Sequence, residues 1–273
     1  MSRRVAVAAA LVVLTLLVGS RWTTNRSAVL ANQRGTVAAS PSAVHTTEPA
    51  PSPSVSAPPP DVVVAPKPKP KPKPAGSGPF GSMKLTGRKQ VALTFDDGPH
   101  PMWTPKVLDR LKAAHVKATF CVVGSQVRKY PDLVKRIVRE GHTLCNHSWN
   151  HELDLGKRPV NEIKANLEAT NRAIRKAVPN AKIRYFRQPG GEWTANVVKV
   201  AGSLGMLPLG WDVDPRDWEI SDAKLIGSRV ISHSRAGSII LMHDGGGDRN
   251  GTLVACPGVI KNLRSRYGIT QLR

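Results

Sequence analysis

Carboxylates are scarce in this chain: 19 Asp and Glu stand against 40 Lys and Arg in 273 residues, a formal charge of +21. Such an imbalance favours polyanionic partners. Cysteine is scarcer still. Cys121, Cys145 and Cys256 cannot all pair within one molecule, and none shows the Cys-x-x-Cys spacing of a zinc ribbon or a dithiol redox motif. Cys121 and Cys145 each fall in a buried-strand pattern, so both are read first as small core residues, with a disulfide between them as the alternative. A Gly-x-Ser-x-Gly elbow is also missing, which argues against a serine hydrolase.

No uninterrupted apolar run reaches the roughly 20 residues that a membrane span needs. The apolar run at residues 5–18 follows Arg3 and Arg4 and precedes Gly19 and Ser20. This is the layout of a signal peptide or a short membrane anchor, and either one takes the bulk of the chain out of the cytoplasm. The protein is therefore expected to be secreted or extracytoplasmic, touching a membrane only through residues 1–20. In that compartment the polyanions at hand are anionic cell-wall polymers and lipids rather than nucleic acid. Residues 21–83 are rich in Ala, Ser, Thr and Pro and end in four Lys-Pro pairs, the composition of a disordered, extended spacer. One folded domain, residues 84–273, is expected after it.

From Lys84 onward, short β-branched runs alternate with amphipathic segments of helical period, the pattern of parallel strands joined by helical crossovers. Strands are expected at residues 91–95, 118–123, 143–145, 183–186, 207–211 and 238–242, with a closing strand after a last helix at about 258–267. About seven strands in some 190 residues is fewer than a regular eight-stranded barrel, so an incomplete α/β barrel is expected. In such folds reactive groups gather at the carboxyl ends of the strands. Asp96 and Asp97, His147, Arg187, the stretch around Asp217, and His243 with Asp244 all follow expected strands.

Chemistry is concentrated in a few of these ends. In the sequence Thr94-Phe95-Asp96-Asp97-Gly98-Pro99, two adjacent carboxylates would face opposite sides of an extended strand. A turn at Gly98 and Pro99 brings both into one cleft with different duties. His147 and His151 stand four apart, which on a helical turn places both imidazoles on one face at metal-ligand spacing. A carboxylate such as Asp97 completes a set that zinc accepts in catalytic sites.

These stretches, with Arg187 to Gly191, Asp214 to Trp218, and Leu241 with His243, resemble in order the five motifs of the polysaccharide deacetylase family, which shares the NodB homology domain (carbohydrate esterase family 4). The resemblance spans nearly all of the chain after Lys84. It implies a distorted, incomplete (β/α) barrel and a divalent metal, most often Zn2+, used to hydrolyse acetyl groups on sugars. Asp97, His147 and His151 would be the ligands and Asp96 the catalytic base. Arg187 would grip Asp96, and Ser148 would fix the loop carrying the histidines. His243 would be the general acid, its pKa raised by Asp217. Gly190 would offer an oxyanion-binding amide, and Trp218 and Leu241 would wall the acetyl pocket. The family often carries an aromatic residue at the position of Gly190, so a stacking contact with sugar is expected to be lost. The implied activity is removal of N-acetyl groups from N-acetylglucosamine-type residues of a polysaccharide, peptidoglycan or chitin-like. An acetylxylan esterase, or a wall-binding module without catalysis, is the alternative. The run Asp244 to Arg249 reads either as a mobile rim loop touching substrate or as plain turn chemistry.

Overall fold

The computed structural model describes residues 76–273. The expected signal or anchor and nearly all of the expected spacer lie outside the described residues. Six strands, β1 (Ala92–Asp96), β2 (Thr119–Val122), β3 (Thr143–Asn146), β4 (Ile183–Phe186), β5 (Leu207–Pro208) and β6 (Ile239–His243), form one sheet in the order β5-β4-β3-β2-β1-β6. Every pairing is parallel. The sheet curls into a half-barrel with helices on its convex face, as the alternating pattern predicts. The count is six rather than about seven: after the last helix the chain makes only an isolated bridge, Ile269 with Val91.

The open seam between the edge strands is stitched by irregular backbone. Met83 bridges to Leu209, Leu85 to Ser238 and Val213 to Ile240. Ser82, just before this stretch, is fully buried, so packing already begins ahead of Lys84.

Among the described residues, seven helices cover the outside: α1 (Trp103–Ala113), α2 (Gly124–Lys129), α3 (Pro131–Arg139), α4 (Val160–Ala177), α5 (Ala195–Ser203), α6 (Ala223–His233) and α7 (Asn250–Arg266). Two depart from expectation. The six residues of α2 bury only Gly124 and Val127, too few to show a period. Helix α7 begins eight residues before the predicted 258 and carries Pro257 inside it; a proline removes a helical donor and so reads as a start rather than an interior position.

Period-two alternation decides which residues face the barrel interior. Leu93, Phe95, Phe120, Leu144, Phe186, Ile240 and Met242 belong to the large cluster shared with the helices. Ala92, Cys121, Cys145, Tyr185, Leu209 and Ile239 form a small separate core with Leu272. On β1 and β6 the inward set therefore continues through Thr94 to Asp96 and through Leu241 to His243. This small core fills the barrel interior below the carboxyl ends of the strands, where the inward residues are polar.

Cys121 and Cys145 are register partners on β2 and β3 and form a disulfide. The first reading, two unpaired core residues, is corrected in favour of the alternative, the disulfide. Burial was read rightly, but that adjacent parallel strands set the two side by side on the inner face is a matter of register, which their own sequences do not state. Cys256 is free and buried in α7.

Candidate active site

A cavity of about 440 Å³ opens at the carboxyl ends of the strands and is lined by most of the residues singled out from the sequence: Asp96, Asp97, His147, His151, Gly190, Trp218, Leu241 and His243. Arg187 and Asp217 lie directly behind this wall and hold two of its members.

The two aspartates diverge as expected. Asp96 ends β1 and points inward, while Asp97 takes a left-handed backbone, φ 72°, which swings its carboxylate into the same cleft. That conformation is uncommon outside glycine, and aspartate is among the residues that tolerate it. The following loop is shaped to fit it. A Cβ on Gly245 would overlap the Asp97 carbonyl, and one on Gly246 would overlap its carboxylate. Asp244 and Arg249 are buried in the same run. Gly245 and Gly246 are thus packed against the aspartate, while Gly246, Gly247 and Asp248 keep an exposed side at the rim, a placement that a glycine run cannot reveal before its neighbour is known.

His147 and His151 converge, but not on a helical turn. Both lie in irregular backbone after β3, with left-handed φ at Ser148 and His151. What holds this loop is a ring of side chains. Ser148 Oγ donates to Glu152 Oε2 at 2.7 Å, Asn166 Nδ2 donates to Glu152 Oε1 at 2.9 Å, and the Trp149 amide donates to Asn166 Oδ1 at 2.9 Å. The expected part for Ser148 is therefore met, with Glu152 and Asn166 as partners that nothing in the motif identified.

Asp97 Oδ1 lies 3.4 Å from His147 Nε2 and 3.3 Å from His151 Nε2. His147 Nδ1–H donates to the Arg187 carbonyl at 2.8 Å, which leaves the Nε2 lone pair facing Asp97. Burial would raise the Asp97 pKa, but the facing His147 imidazole and the charges of His243, His147 and His151 outweigh it and hold it well below the usual range. Burial works against a charged His147, yet Asp96 and Asp97 overcome it and raise its pKa. His151 goes the other way: burial and His147 together lower it.

Arg187 is wholly enclosed. Its Nη1 donates to Asp96 Oδ1 at 2.7 Å and to Thr94 Oγ1 at 2.8 Å, while Nε and Nη2 donate to the carbonyls of Leu209 and Gly210, each at 3.0 Å. This is a fixed clamp on one carboxylate. Across the cleft, His243 Nδ1–H donates to Asp217 Oδ1 at 2.7 Å, and Asp217 Oδ2 accepts from the His243 amide at 2.9 Å and from Thr252 Oγ1 at 2.6 Å. Burial disfavours the imidazolium, but Asp217, with smaller help from Asp97 and Asp96, raises the His243 pKa to about 9. The imidazole is therefore held protonated at neutral pH, with Nε2 free toward the cavity.

The apolar wall also matches in part. Leu241 is buried, whereas Trp218 is 50% exposed at the mouth, not a plain core residue. Gly190 sits in a tight turn with φ 62°. A Cβ there would come within 3.0 Å of Leu153 Cδ2, so an exposed leucine lies where an aromatic side chain would have to pass. Leu153 and Trp211 line the cavity without having been anticipated. Trp211 was read only as the end of a strand; its ring covers Gly191 and lies 5.7 Å from the Arg187 guanidinium.

Residues 84–209 match the family described as polysaccharide deacetylase. Among curated proteins, a chitooligosaccharide deacetylase of Sinorhizobium fredii is 42% identical over 160 residues, 59% of this chain and 74% of the relative. A peptidoglycan-N-acetylglucosamine deacetylase of Bacillus cereus is 35% identical over 180 residues, 65% of this chain and 83% of the relative. Among solved structures, the peptidoglycan deacetylase PdaC from Bacillus subtilis superposes with a TM-score of 0.61 at 34% identity, covering 68% of this chain and 89% of that one. Motif order, cleft geometry and these likenesses agree, and the chain belongs to the polysaccharide deacetylase family.

Proposed function

We propose that the domain is a zinc-dependent hydrolase that removes N-acetyl groups from N-acetylglucosamine-type residues of a polysaccharide. The observation that carries this reading is the state of Asp97 Oδ1: it is buried and has no hydrogen-bond partner, although two imidazole nitrogens face it. A buried polar atom left unsatisfied is costly, and a cation among the three donors would relieve it. Asp97, His147 and His151 offer donor atoms all within 4.8 Å of one another, and two imidazoles with one carboxylate suit zinc in a catalytic site. A divalent metal held there would polarise the acetyl carbonyl and lower the pKa of water.

The chain's own residues supply the rest. Asp96, clamped by Arg187, takes the proton from the water that attacks the acetyl carbon. His243 Nε2 gives its proton to the sugar nitrogen as the carbon–nitrogen bond breaks, leaving acetate and a free amine. Asp217 keeps the His243 ring oriented and charged until that transfer. Leu241 and Trp218 form an apolar wall suited to the acetyl methyl, and the Gly190 amide is the candidate donor to the carbonyl oxygen.

Acetate release measured side by side on N-acetylglucosamine oligomers, peptidoglycan and acetylated xylan tests the reading. Activity on the first two should vanish with a chelator and return with zinc. Release from xylan alone would replace this reading with an esterase. We further infer that the domain works outside the cytoplasm, from the charged and apolar run at residues 3–20 and the Lys-Pro spacer. Protease should reach residues 67–74 on intact cells, and protection there would contradict export.

A further inference from the structure

The charges of the barrel are divided between its two ends. Asp96, Asp97, Asp214, Asp217 and Asp244 gather at the carboxyl ends of the strands, in or behind the catalytic cavity. At the amino ends lie two further cavities, of about 860 Å³ and about 370 Å³, and among the described residues no aspartate or glutamate lines either. Arg88, Lys117, Arg264 and Arg273 line the larger one, and Lys182, Arg184 and Arg273 the smaller, so Arg273 borders both. Arg88 precedes β1, Lys117 precedes β2 and Lys182 precedes β4, which puts all three at this end.

All six cations are exposed, and among the described residues none pairs with a carboxylate. The two carboxylates near this end, Glu140 and Asp212, are already taken up by Arg136 and Arg235. A protein surface ordinarily intersperses both signs, whereas a concave floor lined by one sign focuses its field on an incoming counter-charge. The walls are fixed. Thr143 Oγ1 donates to the Leu272 carbonyl at 2.6 Å, Tyr185 Oη to the Arg273 carbonyl at 2.9 Å and Arg264 Nη1 to the Ala114 carbonyl at 3.1 Å.

The rest of the lining narrows the kind of anion. A lipid surface calls for exposed apolar side chains beside the cations, and none of the large exposed ones, such as Phe80, Trp218 and Val254, lines either cavity. Nucleic-acid bases call for an aromatic platform, and Tyr185 is buried with its hydroxyl already engaged. Guanidinium and ammonium groups suit phosphate oxygens. A polyol phosphate carries those oxygens in a flexible backbone that can follow a concave floor.

We propose that the paired cavities at the amino ends of the strands bind a linear polyol-phosphate polymer, which holds the domain by the end opposite its active site and leaves the catalytic cleft open. No group of that cleft takes part, so the inference stands apart from the deacetylase reading.

The test titrates the full chain with poly(glycerol phosphate) at several salt concentrations. One variant carries Arg88→Gln, Lys117→Gln, Lys182→Gln and Arg184→Gln. A control carries Lys157→Gln, Lys164→Gln, Lys199→Gln and Lys224→Gln, at exposed positions that line neither cavity. Both lose the same charge, and whatever residues 1–75 add is common to both. The first variant should bind about tenfold or more weakly than the wild type. Its log–log salt slope should be shallower by roughly two to three units, at about 0.7 for each phosphate no longer neutralised. The control should stay close to the wild type, and unchanged melting temperatures should show both folds intact. Arg88→Gln with Lys117→Gln alone should give about half the change in slope. Equal losses in the two four-residue variants would show that net charge alone draws the polymer, which would overturn the inference. A loss greater on anionic lipid vesicles, a deoxythymidine oligomer or polygalacturonate than on the polyol phosphate would overturn it as well.

Discussion

The two sides of the cleft are finished to different degrees. On the His243 side every oxygen of Asp217 is engaged: Oδ1 with the imidazole, Oδ2 with an amide and the Thr252 hydroxyl, and the carbonyl with Arg249. On the Asp97 side, two imidazole nitrogens and a carboxylate oxygen face one another at 3.3–3.4 Å, and that oxygen has no hydrogen bond. A group that must hold and release one proton needs a fully satisfied partner to set its affinity. A set of donors that share a cation is left incomplete by the protein chain alone. The difference in wiring is thus a difference in function, and altering each side should break it in a different way.

The largest effect is expected on the incomplete side. His147→Ala together with His151→Ala should abolish zinc binding and activity together while the fold persists, as measured by metal content beside circular dichroism. Zinc retained at the wild-type ratio would refute the ligand set. On the finished side, His243→Ala should keep the metal and lower turnover by roughly 10²- to 10⁴-fold, the range for a positioned proton donor.

Asp217→Asn should act more gently and through pH. The His243 pKa is raised, so its acid form is present below that value and is lost as pH rises through it. Without the Asp217 charge, the alkaline limb of the rate profile should move to lower pH; a limb that stays in place would detach Asp217 from His243. The smallest catalytic effect is expected from the disulfide, which closes a 24-residue separation on the inner face below the site. Cys121→Ala with Cys145→Ala should cost about 2–4 kcal/mol of stability in denaturant titration and leave zinc content unchanged. A variant as stable as the wild type would show that the bridge contributes little.

Much of this was legible from spacing alone, and the exceptions share a cause. The strand ends placed Asp96, His147, Arg187 and His243 on one rim because carboxyl ends of parallel strands share a face, whatever lies between them. The histidine pair was placed rightly for the wrong reason. A four-residue interval suggests a helical turn, whereas the Ser148–Glu152–Asn166 ring holds an irregular loop, and its members lie up to 18 residues apart with no shared period. The Cys121–Cys145 bridge depends on strand register, and the packing of Gly245 and Gly246 on Asp97 depends on β1 and β6 being neighbours. Arg249 read as part of a flexible run because its burial is imposed by α7 starting before Pro257. Each missed feature is a contact between segments distant in sequence.

The central claim is that adjacent aspartates have separate duties, and zinc stoichiometry measured beside acetate release for Asp96→Asn and Asp97→Ala tests it most directly. Asp97→Ala should lose metal and turnover together. Asp96→Asn preserves the shape of the side chain in the Arg187 clamp, so it should hold about as much zinc as the wild type while turnover falls by roughly 10²- to 10⁴-fold. If Asp96→Asn sheds the metal and Asp97→Ala keeps it, the two roles are reversed and the account is contradicted.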